Sequence, residues 1–172
     1  MNITVYFDHI DTPLGEMLLA TDGLALTGAW FDRQRYLPSI DEGWQRRRDS
    51  AVLRRAAAML DEYFAGTRTT FDIALAPAGT PFQRAVWNEI FAVPYGQTIA
   101  YRDLATRTGH PAAVRAAGAA TGRNPLSIFV PCHRIVGADG ALTGYAGGLD
   151  RKRALLALER EGVNAEPARR AA

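Results

Sequence analysis

Cysteine is almost missing from this sequence. Cys132 is the only one in 172 residues, which excludes an intramolecular disulfide framework and leaves no cysteine cluster for a structural zinc. Histidine is nearly as scarce, at three, and lysine is reduced to Lys152, with arginine supplying the other nineteen basic side chains. Genomic base composition explains such an arginine bias, so it is given no functional weight. No apolar run reaches the roughly 20 residues needed to cross a bilayer. The opening residues MNITVYFD lack the basic region and long apolar stretch of a secretory signal. The chain is therefore expected to be cytoplasmic, and the Asn2-Ile3-Thr4 glycosylation match is without meaning. Gly144-Tyr145-Ala146-Gly147-Gly148 lacks the spacing of a dinucleotide or phosphate-loop fingerprint, which argues against nucleotide binding.

Against these absences stands an ordinary globular composition, 48% hydrophobic and 22% charged. The length suits one fairly large domain or two small ones sharing an interface. Net charge is only +2, but residues 1–80 hold 8 basic and 11 acidic side chains, and residues 81–172 hold 12 and 7. The asymmetry points to a phosphate-facing C-terminal half.

Residues 3–7, 15–20 and 24–31 read as three strands of an antiparallel meander, with turn residues at 12–15 and 21–23. Residues 36–49 read as a polar connection, and Arg46 to Arg48 as a solvated charge run. Ser50 caps a helix to about residue 64, ended by Gly66, and residues 70–76 read as another strand. This half, residues 1–77, offers no paired carboxylates or histidine cluster and is read as a scaffold. Pro77-Ala78-Gly79 is the linker. Thr80 and Pro81 start a helix with an apolar stripe of Phe82, Val86, Trp87, Ile90 and Phe91. Residues 101–108 and 112–123 read as two short helices joined by a Gly-containing turn, the outline of a helix-turn-helix. The second is nearly bare of long side chains apart from Arg115. Small residues suit either tight packing against the core or approach to a minor groove. A turn at 138–141 lets residues 134–136 and 141–143 pair as a hairpin or wing. A last helix runs from residue 150 to about 160, and residues 165–172 are expected to be a disordered tail. The expected fold class is α+β: an N-terminal antiparallel sheet with a helix, then a mostly helical C-terminal domain, residues 80–164, with a helix-turn-helix and a short wing.

The stretch that carries chemistry is residues 124–136, NPLSIFVPCHRIV. Pro131 fixes its own φ and biases Val130 towards an extended shape, so the Cys132 thiol is presented on stiffened backbone. A lone cysteine is commonly just a small buried hydrophobe. With His133 and Arg134 after it and Asn124 eight residues before, it reads instead as a nucleophile whose thiolate is favoured by cationic and hydrogen-bonding neighbours.

Asn-Pro, five residues, then Pro-Cys-His-Arg resembles the active-site signature of the O6-alkylguanine-DNA alkyltransferases, and specifically their short single-cysteine bacterial members. The resemblance is strong over residues 80–162 and weak over 1–77. It implies direct, stoichiometric transfer of the alkyl group of O6-alkylguanine in double-stranded DNA to Cys132 after base flipping, with O4-alkylthymine left open as a second substrate. It implies His133 as a base acting through a water, Glu159 as the carboxylate that orients it, and Asn124 as a hinge residue. It places Tyr101, Arg102 and Arg115 against DNA, with Arg115 filling the place of the flipped base. Tyr101, Ser127, Val136, Tyr145 and Ala146 would line the substrate pocket. The mechanism requires no cofactor and no metal. The partner is DNA containing alkylated guanine, with no membrane involved, and the protein is expected to be a monomer in solution. Ala146 and Ser127 stand where some members carry Ser and Pro, which bears on pocket size.

Three other readings compete. A non-catalytic binder of alkylated DNA would lack Cys132. A transcriptional regulator of this family would need a further sensor domain with its own cysteines. A cysteine hydrolase normally draws its Cys and His from distant parts of the sequence.

Overall fold

The computed structural model describes residues 4–170. Ile3, where the first strand was expected to start, lies outside that range, as do residues 171 and 172 of the expected tail. Strands β1 (Val5–Thr12), β2 (Gly15–Thr21) and β3 (Leu26–Phe31) form the expected meander. Gly15, at φ +114°, makes the tight return from Thr12 that a side chain would strain. A fourth strand was not foreseen: β4 (Trp44–Arg46) runs parallel to β1, giving the order β3-β2-β1-β4. Its anchor is aromatic. Trp44 packs 5.9 Å from Phe7 and 6.3 Å from Trp30, and this burial turns part of a polar connection into an edge strand. Arg46 is tied to Asp8 at 2.8 Å, in keeping with a solvated charge run.

Helix α1 (Ala51–Phe64) starts where Ser50 accepts from the Leu53 amide, and it lays Leu53, Ala56, Met59, Leu60 and Tyr63 on the sheet. Residues 70–76 are not the expected strand. The free edge of β3 is divided: Leu26 exchanges backbone hydrogen bonds with Ala74 and Ala76, and Ala29 with Pro125 and Ser127. Neither segment gets enough edge to form a full strand. The second of these bridges ties the N-terminal sheet directly to the stretch leading to Cys132.

Helix α2 (Pro81–Phe91) opens with a complete capping box between Thr80 and Gln83. Strand β5 (Ile99–Ala100) leads into α3 (Tyr101–Arg107), and a turn through Gly109 leads to α4 (Val114–Gly122). Helix α4 packs some of its small residues and exposes others. Ala117, Ala120 and Thr121 are buried, and the Trp87 indole of α2 donates to the Ala120 carbonyl at 2.8 Å. Arg115, Ala116 and Ala119 face outward. Strand β6 (Ile135–Val136) does not pair with residues 141–143 as expected. It lies parallel to β5, and the turn at Ala138–Gly140 brings Ala141 back only to a single bond with Gly137.

Helix α5 (Leu149–Arg170) runs well past the expected end and takes in residues 165–170 of the stretch expected to be disordered. Ala165 and Glu166 favour the continuation while Gly162 and Pro167 oppose it, so it rests on a helix already anchored by packing at Leu155 and Leu158. Residues from all the major elements, including Leu19, Phe31, Leu60, Ile90, Leu104 and Leu155, form one continuous buried cluster. Among the described residues no helix is long and apolar enough to cross a membrane.

The capping box yields a test of this reading. Thr80→Ala should destabilise the protein by about 1 kcal/mol in urea unfolding, with the dependence on denaturant unchanged.

Candidate active site

The loop before Cys132 is built from local constraints. Asn124 donates to the Val130 carbonyl at 2.8 Å and accepts from the Leu126 amide at 3.0 Å, closing the loop on itself. Ile128 sits in the left-handed region at φ 72°, a strained conformation for a β-branched residue. It is held there by burial among Leu126, Phe129 and the core. Pro131, at φ −80° and ψ 65°, makes an inverse γ-turn in which the Cys132 amide donates to the Val130 carbonyl at 2.8 Å. Cys132 then opens a short 3-10 turn, Cys132–Arg134, that points the next two side chains inward.

Both meet Glu159, which is fully buried on α5. Its Oε1 accepts from His133 Nε2 at 2.7 Å, Tyr63 Oη at 2.8 Å and Arg134 Nη2 at 2.8 Å. Its Oε2 accepts from Arg134 Nε at 2.9 Å and the Gly96 amide at 3.1 Å. Arg134 also donates to the Val93 carbonyl at 2.6 Å. Burial alone would raise the carboxyl pKa, but the donors of His133 and Arg134 outweigh it and bring it down to about 2. Burial holds the His133 pKa below its usual 6.5, with Glu159 pulling the other way. A carboxylate can only accept, so Nε2 of the neutral ring carries the proton. Nδ1, which is buried and has no hydrogen-bond partner among the described residues, is left as an acceptor.

Cys132 lies on a cavity of about 280 Å³ lined by Tyr101, Tyr145, Ala146 and the small residues of α4, with Arg35 and Tyr36 from the N-terminal half. Burial pushes the thiol up, against the opposing pull of the Asn124 amide and the Lys152 ammonium. The resting group is a thiol, so the chemistry needs a base. Lys152 is fully buried, donating to the carbonyls of Ile135 at 2.5 Å and Gly144 at 3.1 Å, and burial lowers it to about 8. Tyr101 donates to the Thr143 carbonyl at 3.1 Å, and burial followed by the Cys132 charge raises its hydroxyl to about 12. Burial likewise holds the Tyr145 hydroxyl well above 10. The cavity opens beside the outward face of α4, so a buried thiol, an imidazole with an acceptor nitrogen and an exposed helix of small residues share one locality.

Comparison with known proteins matches that locality to one family. The ribonuclease-like domain of 6-O-methylguanine DNA methyltransferase matches residues 5–77, and the DNA binding domain of the same protein matches residues 81–161. The chain belongs to this family. It is 44% identical over 162 residues to the methylated-DNA–protein-cysteine methyltransferase of Mycobacterium tuberculosis (strain H37Rv), covering 94% of this chain and 96% of that protein. The enzyme of the same name from Methanosarcina acetivorans is 43% identical over 155 residues, 90% of this chain and 98% of the other. The crystal structure of Mycobacterium tuberculosis OGT in complex with DNA superimposes with a TM-score of 0.84 at 43% identity, covering 91% and 94% of the two chains.

For this methyltransferase-family chain, the structure brings together Cys132, His133, Glu159 and Asn124, and it sets Tyr101, Tyr145 and Ala146 around the thiol. Ser127 and Val136 do not line this cavity, although Ser127 lies against Tyr145, which does. Ser127 is buried and donates to Gln34 Oε1 at 3.2 Å, and Val136 borders a separate cavity with Gly96 and Leu142. Arg102 and Arg115 are exposed on α3 and α4, outside the cavity. Arg134, expected to favour the thiolate, is committed to Glu159. The cation that acts on Cys132 is Lys152, whose signal was its being the single lysine of the chain. Tyr63 was hidden because it reads as an ordinary core residue of α1.

The network sets an acid limit on stability. A group whose folded pKa is depressed contributes stability that is present above its unfolded pKa and lost as pH falls through the folded value. His133 should therefore begin to cost stability below pH 6.5, and Glu159 should remove on the order of 3 kcal/mol between pH 4.5 and about 2. Chemical unfolding across this range should show the lower step, and Glu159→Gln should lack it while being less stable at neutral pH because Arg134 is left unpaired.

Proposed function

We propose that the protein repairs alkylated DNA by moving the alkyl group from O6 of guanine to Cys132, once and irreversibly. The observation that carries this reading is a single buried thiol on the cavity beside α4, adjacent in sequence to a histidine whose tautomer is fixed by Glu159. The guanine enters the cavity only after leaving the base stack, at a cost of a few kcal/mol. Arg115, exposed near the start of α4, is suited to fill the space it leaves.

His133 Nδ1 takes the thiol proton by way of a water, and Lys152 supports the thiolate that forms. The sulfur attacks the alkyl carbon, the S–C bond forms as the C–O6 bond breaks, and the bonding pair passes to the oxygen and the ring. The base is restored by a proton, and we assign its delivery to the hydroxyl of Tyr101, which lines the cavity beside Cys132 and regains the proton from solvent. The thioether product has no easy leaving pathway, so each molecule acts once. We assign Asn124 to shaping the Cys132 loop and Arg102 to the DNA backbone. We also place the protein in the cytoplasm as a monomer, with residues 1–77 and 80–164 as its two functional parts.

Incubation with a duplex carrying one O6-methylguanine should add one methylene unit to the intact mass, at one equivalent per protein. Cys132→Ala should show no gain. Tight lesion binding without a mass change in the wild-type protein would instead establish a non-catalytic binder.

A further inference from the structure

Two guanidinium groups share one exposed aromatic ring at the cavity that holds Cys132. Arg123, which closes α4, stacks over Tyr36 with its guanidinium carbon 3.7 Å from the ring centroid, and Arg35 lies 5.0 Å from the same centroid. Arg35 and Tyr36 line the cavity, and all three residues are exposed. Arg46, Arg55, Arg68, Arg134, Arg151 and Arg153 each pair with a carboxylate. Among the described residues no carboxylate pairs with Arg35 or Arg123, as is also true of Arg48, Arg54, Arg84, Arg102, Arg107 and Arg115, but only Arg35 and Arg123 of these stack on a ring beside the cavity.

The loop carrying this pair is fixed against the active site. The Arg35 amide donates to the Ala146 carbonyl at 2.9 Å, and Gln34 accepts from the Phe31 amide at 2.8 Å and from Ser127 Oγ at 3.2 Å. Tyr36 itself is in the left-handed region at φ 63°. Two like charges at one ring repel, and an exposed cation–π contact returns only about 0.5–1 kcal/mol. An anion held by both guanidiniums would relieve that repulsion. A phosphodiester fits, because the guanidinium fork matches its oxygens in pairs. Arg115 and Arg123 lie eight residues apart on α4, about 12 Å along its axis, with Ala119 between them on the outward face.

We propose that Arg35 and Arg123, braced by Tyr36, clamp a backbone phosphodiester of the DNA whose base enters the cavity, so that the N-terminal half binds DNA jointly with α4. The identity of this polyanion rests on the alkyl-transfer reading above.

The test is the salt dependence of binding to an unmodified, fluorescently labelled duplex. Each phosphate contact contributes about 0.9 to the slope of log affinity against log salt, or about threefold in affinity between about 50 and 200 mM. Because both guanidiniums hold the same phosphate, Arg35→Gln and Arg123→Gln should each reduce the slope, and the double variant should reduce it by about 0.9 in all. Arg35→Lys and Arg123→Lys should keep it, since they keep the charge, and Arg54→Gln on the outer face of α1 should leave it unchanged. Slopes equal to wild type in both glutamine variants would overturn the clamp. So would an equal loss in the lysine and glutamine variants, which would indicate a structural role. The alkyl-transfer reading is judged separately by the mass gain of the wild-type protein: reduced slopes without any mass gain would uphold the clamp and refute that reading.

Discussion

The buried carboxylate of Glu159 is the constraint on which the rest depends. It collects four donor residues from three places in the sequence: Tyr63 on α1, Gly96 after α2, and His133 and Arg134 beside Cys132. An isolated carboxylate in this position would be neutralised by its surroundings. Arg134 keeps it ionised, at the cost of desolvating a second charge, and the other donors satisfy the remaining lone pairs. What the arrangement provides is direction. Because the carboxylate only accepts, it forces the proton of His133 onto Nε2 and leaves Nδ1 as the basic atom.

That dependence explains why a half with no catalytic signature of its own is needed. The N-terminal sheet is bonded through Ala29 to Pro125 and Ser127, so the stretch leading to Cys132 is pinned alongside the edge of β3. Arg151 of α5 reaches back to the carbonyls of Leu14 and Asp32 as well as the Asp32 carboxylate, fixing the helix that carries Lys152 and Glu159. Tyr63 crosses from α1 into the Glu159 cluster. The first half does not merely support the second; it sets the positions of the loop, the helix and the carboxylate that the chemistry uses.

Much of this was readable in advance where the signal is local. Ser50 and Thr80 mark their helix starts by capping chemistry, the meander follows from alternation and turn residues, and the Pro-Cys-His-Arg run marks the loop that carries the cavity's thiol. The misses share a physical cause, which is that their determinants lie far away in the sequence. Trp44 makes a strand only because Phe7 and Trp30 are there to cover it. Residues 70–76 fail to make one because Pro125–Ser127 occupies the rest of the β3 edge. Lys152 and Arg134 look alike as basic residues near the active site, and only the three-dimensional arrangement assigns one to the thiol and the other to Glu159. Ser127 was expected at the pocket, but its hydroxyl is drawn to Gln34, a partner 93 positions away.

The tautomer of His133 is the property that most directly expresses this account. It can be read from the imidazole nitrogen-15 shifts of the folded protein at neutral pH. The ring should be neutral and protonated on Nε2, with Nδ1 unprotonated and available to receive the Cys132 proton. A ring protonated on Nδ1, or on both nitrogens, would contradict it, because Nδ1 could then not act as the base.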